Sequence, residues 1–148
     1  MIRDAKLEDI KSIMCLVSDF FIDSINEYGI CMTEDTIEET LDNLIKHHIF
    51  LVNIKDGKVN GVISGAISRS IFDNKEIIAQ EIIWFVDKDS RKGMDGIKLF
   101  NAFENKCKEL GANKIIMVHM ENSYPKSLER YYKRKNYKLM EKHYIREV

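Results

Sequence analysis

Ile77-Ile78-Ala79-Gln80-Glu81-Ile82-Ile83-Trp84-Phe85-Val86 is an almost wholly apolar run with two polar residues, Gln80 and Glu81, embedded in it. Its β-branched and aromatic content reads as a long strand. The polar stretch Asp87 to Gly93 leads from its end into a helical pattern. There Ile97, Phe100, Phe103, Cys107 and Leu110 recur on one face, and Gly111 is a helix stop. Lys114 to Met120 then reads as a second strand, a continuous apolar run of the kind covered on both sides. Strand, loop, helix and strand in this order make a parallel crossover, and residues 77–120 therefore predict an α/β fold.

Upstream, Met1 to Ala5 is a short candidate strand, and Leu7, Ile10, Ile13, Met14, Val17, Phe20 and Phe21 recur at three- and four-residue spacing as an amphipathic helix. Thr33 is a candidate N-cap for a second helix, with acidic residues in its first turn and an apolar stripe of Ile37, Leu41, Leu44 and Ile45. Ile49 to Ile54 and Val59 to Ile71 read as strands about an Asp56-Gly57 hairpin turn, and Asp73-Asn74 offers the next turn, so the middle of the chain is an antiparallel meander. Downstream, Glu121 to Lys126 is a loop, Leu128 to Lys135 a short helix and Tyr137 to Ile145 a last strand. The predicted order is β-α-α-β-β-β-α-β-α-β, a mixed, mostly antiparallel sheet flanked by helices.

The 148 residues predict one domain over 1–148, with 45% apolar and 32% charged residues, a folded rather than a disordered balance. No apolar run approaches the roughly 18 residues that span a membrane, so no membrane partner is expected. The N-terminus does not read as a signal peptide, and the expected location is cytoplasmic. Three cysteines without CxxC spacing suggest reduced thiols, and His47, His48, His119 and His143 show no metal-ligand spacing. Net charge is −1 but uneven: residues 1–74 hold 7 basic against 13 acidic residues, −6, and residues 75–148 hold 16 against 11, +5. A basic C-terminal half suits a polyanionic ligand, whether a nucleotide cofactor or a nucleic acid, and suits equally a solvated surface.

The loop after Val86 has a chemistry of its own. A strand end, a glycine-containing loop and a helix N-terminus present unpaired N–H groups at the positive end of a helix dipole, a site for a pyrophosphate. Gly93 and Gly96 let the backbone come close to phosphates, and Arg91, Lys92 and Lys98 add positive charge.

Three segments carry a resemblance over nearly the whole chain. Ile2-Arg3-Asp4-Ala5-Lys6-Leu7-Glu8-Asp9-Ile10 resembles the first strand and helix of the GNAT acetyltransferases, usually "IRxAtxeDi". Glu81-Ile82-Ile83-Trp84-Phe85-Val86 with Arg91 and the glycine-bearing helix start resembles their cofactor motif. Leu128-Glu129-Arg130-Tyr131-Tyr132-Lys133-Arg134-Lys135-Asn136-Tyr137 resembles their closing "fYeklGF" element. The family's Q/R-x-x-G-x-G/A, registered on Arg91, keeps Arg91 and Gly96 and puts Met94 at the first glycine. Registered on Gly93, it mismatches Ser90 and Asp95. The first register also aligns Leu99-Phe100 with the family's apolar pair.

The resemblance implies a GNAT-like α/β fold with a central β-α-β cofactor-binding unit, acetyl-CoA as cofactor, and transfer of its acetyl group to a primary amine of a small-molecule or protein acceptor. It implies Glu81 as the base that deprotonates the amine and Tyr132 as the acid that protonates the leaving sulfur, with Tyr131 as its neighbour one residue away. It implies the cofactor on the main chain of Phe85 and Val86, on Arg91, Lys92, Gly93, Met94, Asp95 and Gly96, and on Asn122 past the fifth strand. Asn136 stands where the family has a glycine and also tolerates a left-handed conformation. Independently, an acid in an apolar strand is a candidate for a raised pKa, and Ile77, Ala79, Ile83 and Phe85 would share the Glu81 face by period two. Asp95 beside a pyrophosphate is unfavourable unless it points outward or caps the helix. Two other readings stay open: a GNAT-fold acyl-CoA-binding protein without turnover, and a nucleic-acid-modifying member using Lys126, Arg130, Lys133, Arg134, Lys135 and Lys138. A homodimer is compatible with the family and is not legible in these residues.

Overall fold

The computed structural model describes residues 1–148. Five strands, β1 (Ile2–Asp4), β2 (Ile49–Lys55), β3 (Lys58–Arg69), β4 (Ile77–Val86) and β5 (Lys114–Ile116), form one sheet in the order β1-β2-β3-β4-β5. The first three pairings are antiparallel and the last, β4 with β5, is parallel. Helices α1 (Ile10–Phe20) and α2 (Glu34–His47) cover one face, and α3 (Asp95–Glu109) covers the other. The helix α4 (Pro125–Arg134) follows β5. No helix is long and apolar enough to cross a membrane.

Local chemistry explains most boundaries. Asp56 and Gly57 both take positive φ, 50° and 76°, as a two-residue type I′ hairpin requires. At the end of α3, Gly111 is left-handed; its N–H donates to Lys108 O and that of Ala112 to Cys107 O, the paired bonds of a Schellman cap. The end of α4 repeats the device with Asn136 at φ 64°, as its place in the sequence predicts. Thr33 does precede α2, but its hydroxyl donates to Thr36 Oγ1 at 2.8 Å and caps no backbone N–H. Asp9 ties β1 to α1, taking both Arg3 nitrogens at 2.7 and 2.9 Å and the Lys6 N–H at 2.8 Å.

Two cores result. Ile13, Leu16, Leu41, Phe50, Val52 and Val62 pack between the sheet and α1/α2, while Ile49, Leu51, Ile63, Leu99, Phe103 and Cys107 pack under α3. Sheet and helix meet closely on the α3 side: a methyl group at Gly65 would lie 2.6 Å from the Phe103 ring, and one at Gly61 would lie 2.9 Å from Leu99.

Four expectations are corrected. Residues 137–145 form no strand, and from Lys138 onward every residue is exposed and makes no backbone hydrogen bond. The strand β5 stops at Ile116, not Met120, and is an edge strand with half-buried isoleucines, not one covered on both sides. Just past the end of β5, the polar atoms of Val118 are taken by the side chains of Glu81 and Tyr132 and not by another strand. Third, Ile77, Ala79, Ile83 and Phe85 do not share one face. The β3–β4 register pairs Ser64 with Ile83 and Gly65 with Glu81, leaving Ile82 as a bulge that reverses the alternation. Ala79 therefore lies in the α3 core, and Ile83 and Phe85 lie in the α1/α2 core. Leu7 and Leu110, expected on apolar helix faces, are exposed at helix ends.

Candidate active site

The parallel pairing of β4 and β5 covers only Ile78–Gln80 against Lys114–Ile116. Beyond it the two chains part, and Glu81 is the first β4 residue past the last pair. Its side chain is buried, and one carboxylate oxygen accepts the Val118 N–H at 3.2 Å. Burial pushes this carboxyl up to about 8, against a smaller opposing pull from the Val118 N–H. On the same residue the Val118 carbonyl accepts the Tyr132 hydroxyl at 2.6 Å. Tyr132 is buried against Phe100 and Tyr137. Burial first, and then the neighbouring Glu81 charge, raise its phenol above the ordinary value. The structure thus brings together two residues 51 positions apart in the sequence. Tyr131 packs edge-on to the same Phe100 ring at 5.0 Å and lies under Arg134, with no hydrogen bond from its hydroxyl. His119 stacks on Tyr132 with ring centroids 6.4 Å apart, and its Nδ1 is buried without a partner.

The loop after β4 turns through Lys88–Ser90 into α3, whose N-cap is Met94. The N–H groups of Asp95, Gly96 and Ile97 donate to nothing in the chain, and no side chain caps the helix. Lys92, Gly93 and Met94 are exposed there, with Lys98 one turn on. Arg91 is turned inward: Nε donates to Val86 O at 2.8 Å, the guanidinium lies 4.6 Å above the Phe85 ring, and Nη2 sits 3.4 Å from Asp23 Oδ2. Lys88 also holds Asp23, at 2.8 Å, and the two cations keep that carboxyl below its usual range. Asp95 points away from the helix axis, accepting a bond from Asn60 Nδ2 at 3.0 Å. Asn60, the bulged residue of β3 opposite Asn53 and Ile54, accepts in turn from Asn53 at 2.7 Å. Asn122 is exposed and donates to Ser24 O at 3.0 Å.

Phe85 and Val86 are buried and pair with Val62 and Gly61 on β3. Their other edge has no strand against it, because β5 has already ended. Sequence reasoning missed Asn60, Asp23 and the Val118 main chain. The first two look like ordinary surface polar residues in sequence, and no side-chain pattern marks a backbone group.

On the α1/α2 face an apolar cavity of about 330 Å³ opens beside this segment. Val17, Phe21 and Ile25 from α1 and its wide π turn (Phe21–Ile25) form one wall, and Ile37 and Leu41 of α2 the other. Ile82 and Ile83 form part of its lining from β4.

No protein-family model matches the sequence, and no curated protein is similar to it in sequence. Solved structures are similar over whole chains. A possible acetyltransferase from Clostridium difficile 630 shares 19% identity at a TM-score of 0.76, covering 100% of this chain and 97% of that one. Glucosamine-6-phosphate N-acetyltransferase from Arabidopsis thaliana shares 15% at 0.74, covering 99% and 97%. A GNAT family acetyltransferase from Staphylococcus aureus subsp. aureus USA300_TCH1516 shares 15% at 0.68, covering 100% and 98%. The strand order, the parting of β4 from β5 and these whole-chain likenesses agree: this chain has the fold of the GNAT acetyltransferases.

Proposed function

We propose that this chain, as one domain over residues 1–148, is an N-acetyltransferase that moves the acetyl group of acetyl-CoA onto a primary amine. The observation that carries the reading is the meeting of Glu81 and Tyr132 on the two polar atoms of Val118, where the sheet parts.

The chain's own groups suit the cofactor. Three unpaired N–H groups at the start of α3 suit a pyrophosphate, and Lys92 and Lys98 suit its charge. Gly96 is not demanded by φ, and a methyl group there would meet Val86 and Trp84 only at ordinary contact distance, so neither backbone strain nor crowding within the chain requires a glycine. Asp95, which would repel a phosphate, is held aside by Asn60. Arg91 anchors the loop to β4 more than it offers charge outward. The free edge of Phe85 and Val86 suits the amide groups of a pantetheine arm.

Acetyl-CoA, when bound, supplies a thioester carbonyl open to attack by an amine. Glu81 takes the proton the amine gives up as the C–N bond forms. Tyr132, kept protonated by its raised pKa, gives its proton to the sulfur as the C–S bond breaks, leaving an amide and a free thiol. Both residues then exchange protons with solvent.

Calorimetry with acetyl-CoA and CoA tests the first half, and absence of binding at millimolar cofactor would end it. Tyr132→Phe tests the second. Turnover should fall by roughly 10²-fold, the lower end of a general-acid contribution, while cofactor affinity changes less than about threefold. A full rate in Tyr132→Phe together with a slow Tyr131→Phe would move the role to Tyr131.

A further inference from the structure

The cavity between α1 and α2 has a nearly uniform apolar lining. Of its 15 lining residues 12 are hydrophobic, and the other three are Thr33, Thr36 and Thr40. Not one is charged, so the cavity offers no cation to a phosphate and no carboxylate to an ammonium. Two of the three hydroxyls already donate within the chain, Thr33 to Thr36 Oγ1 and Thr40 to Thr36 O, both at 2.8 Å, and all three residues lie at the exposed rim. A ligand covered with hydroxyl groups would find only these three hydroxyls as partners, and each group left unmatched against the apolar walls would cost about 1–3 kcal/mol. At about 330 Å³ the space lies at the small end of ligand pockets, which run from roughly 300 to 1,000 Å³.

Its position ties it to the chemistry. Ile82 and Ile83 follow Glu81 along β4, past its last pair with β5, so a body resting on them lies against the opening between the two strands, on the α1/α2 face, across the sheet from the Glu81 side chain that shares the Ala79 face under α3. Charge outside the cavity favours a cation: the opposite side of α2 carries Asp35, Glu38, Glu39 and Asp42, and the half of the chain that builds the cavity walls is the acidic half.

We propose that this cavity holds the hydrocarbon body of the acceptor, so that the amine acetylated here is a small monoamine bearing an aliphatic or aromatic group. A phosphosugar and a polyhydroxylated polyamine are thereby disfavoured. The inference rests on the acetyl-transfer reading above, and the test separates the two.

Phenethylamine and hexylamine are compared with glucosamine 6-phosphate and kanamycin as acceptors in the presence of acetyl-CoA, with products identified by mass spectrometry. Phenethylamine binding to the cofactor-free protein is measured by calorimetry. Two variants, Thr36→Trp and Met32→Trp, fill the cavity from different elements, and a thermal melt checks that each is folded. The expected result is kcat/KM at least tenfold higher for the two apolar amines, with phenethylamine affinity and KM each at least tenfold poorer in a folded tryptophan variant. Preference for kanamycin or glucosamine 6-phosphate would overturn the inference and leave acetyl transfer standing. Equal phenethylamine affinity in wild type and both variants would also overturn it. Saturable phenethylamine binding with no amine acetylated would overturn acetyl transfer and leave the cavity's choice of ligand intact.

Discussion

At neutral pH a carboxyl that titrates near 8 is mostly protonated, and burial holds Glu81 in that state. Two consequences follow with opposite slopes. As a base, Glu81 gains ionised fraction as pH rises, so kcat/KM should climb to a plateau above about 8. As a buried group whose folded pKa lies above its unfolded value near 4.5, it contributes stability that is complete below about 4.5 and is lost as pH rises through about 8. Glu81→Gln keeps the shape and removes the ionisation. It should lower turnover by roughly 10²-fold at pH 7, with a smaller loss at high pH where the amine arrives deprotonated. In urea titrations the variant should gain on the wild type between pH 4 and pH 9, by on the order of 5 kcal/mol if the whole shift is expressed. A Glu81→Gln protein that keeps its rate and only melts differently would refute the catalytic role. The candidacy of Glu81 was legible because an acid in an apolar run is anomalous. Its bond to Val118 was not, because nothing in a sequence says which peptide group faces a side chain.

Among the elements, α3 shows how sequence and packing divide the work. Its apolar face and its Gly111 stop are local, and the structure keeps both. The depth of its seat on the sheet is set by Gly65 on β3, whose neighbours would be the Phe103 ring at 2.6 Å and Gln80 O at 2.8 Å from an added methyl. Gly65→Ala should cost about 1–3 kcal/mol through overpacking, seen as a lower urea midpoint at unchanged slope. An unchanged midpoint would mean that Phe103 repacks freely. Strand β4 illustrates the opposite limit. Its ends are those read from the sequence, but its period-two alternation fails at Ile82, because a bulge is a property of the pairing and not of either strand alone.

For the whole molecule, the segment after Tyr137 is where patterned sequence did not become structure. Residues 138–148 make no backbone hydrogen bond, whereas Tyr137 is anchored through its hydroxyl to Glu104 at 2.9 Å. Deleting 138–148 should therefore shift Tm by less than about 3 °C, the equivalent of 1 kcal/mol at this size. A loss beyond about 8 °C would show that the segment packs against the sheet. What the sequence by itself determined were the parts governed by near neighbours: the meander and crossover order, the hairpin at Asp56-Gly57, the left-handed turns at Gly111 and Asn136, and the glycine-bearing start of α3. Only the tertiary structure decided where the parallel ladder ends, that Asn60 draws Asp95 aside, that Arg91 faces Asp23, and that an uncharged cavity lies beside the segment after Glu81. Those outcomes depend on distances between residues far apart in the chain, and periodicity carries no information about such distances.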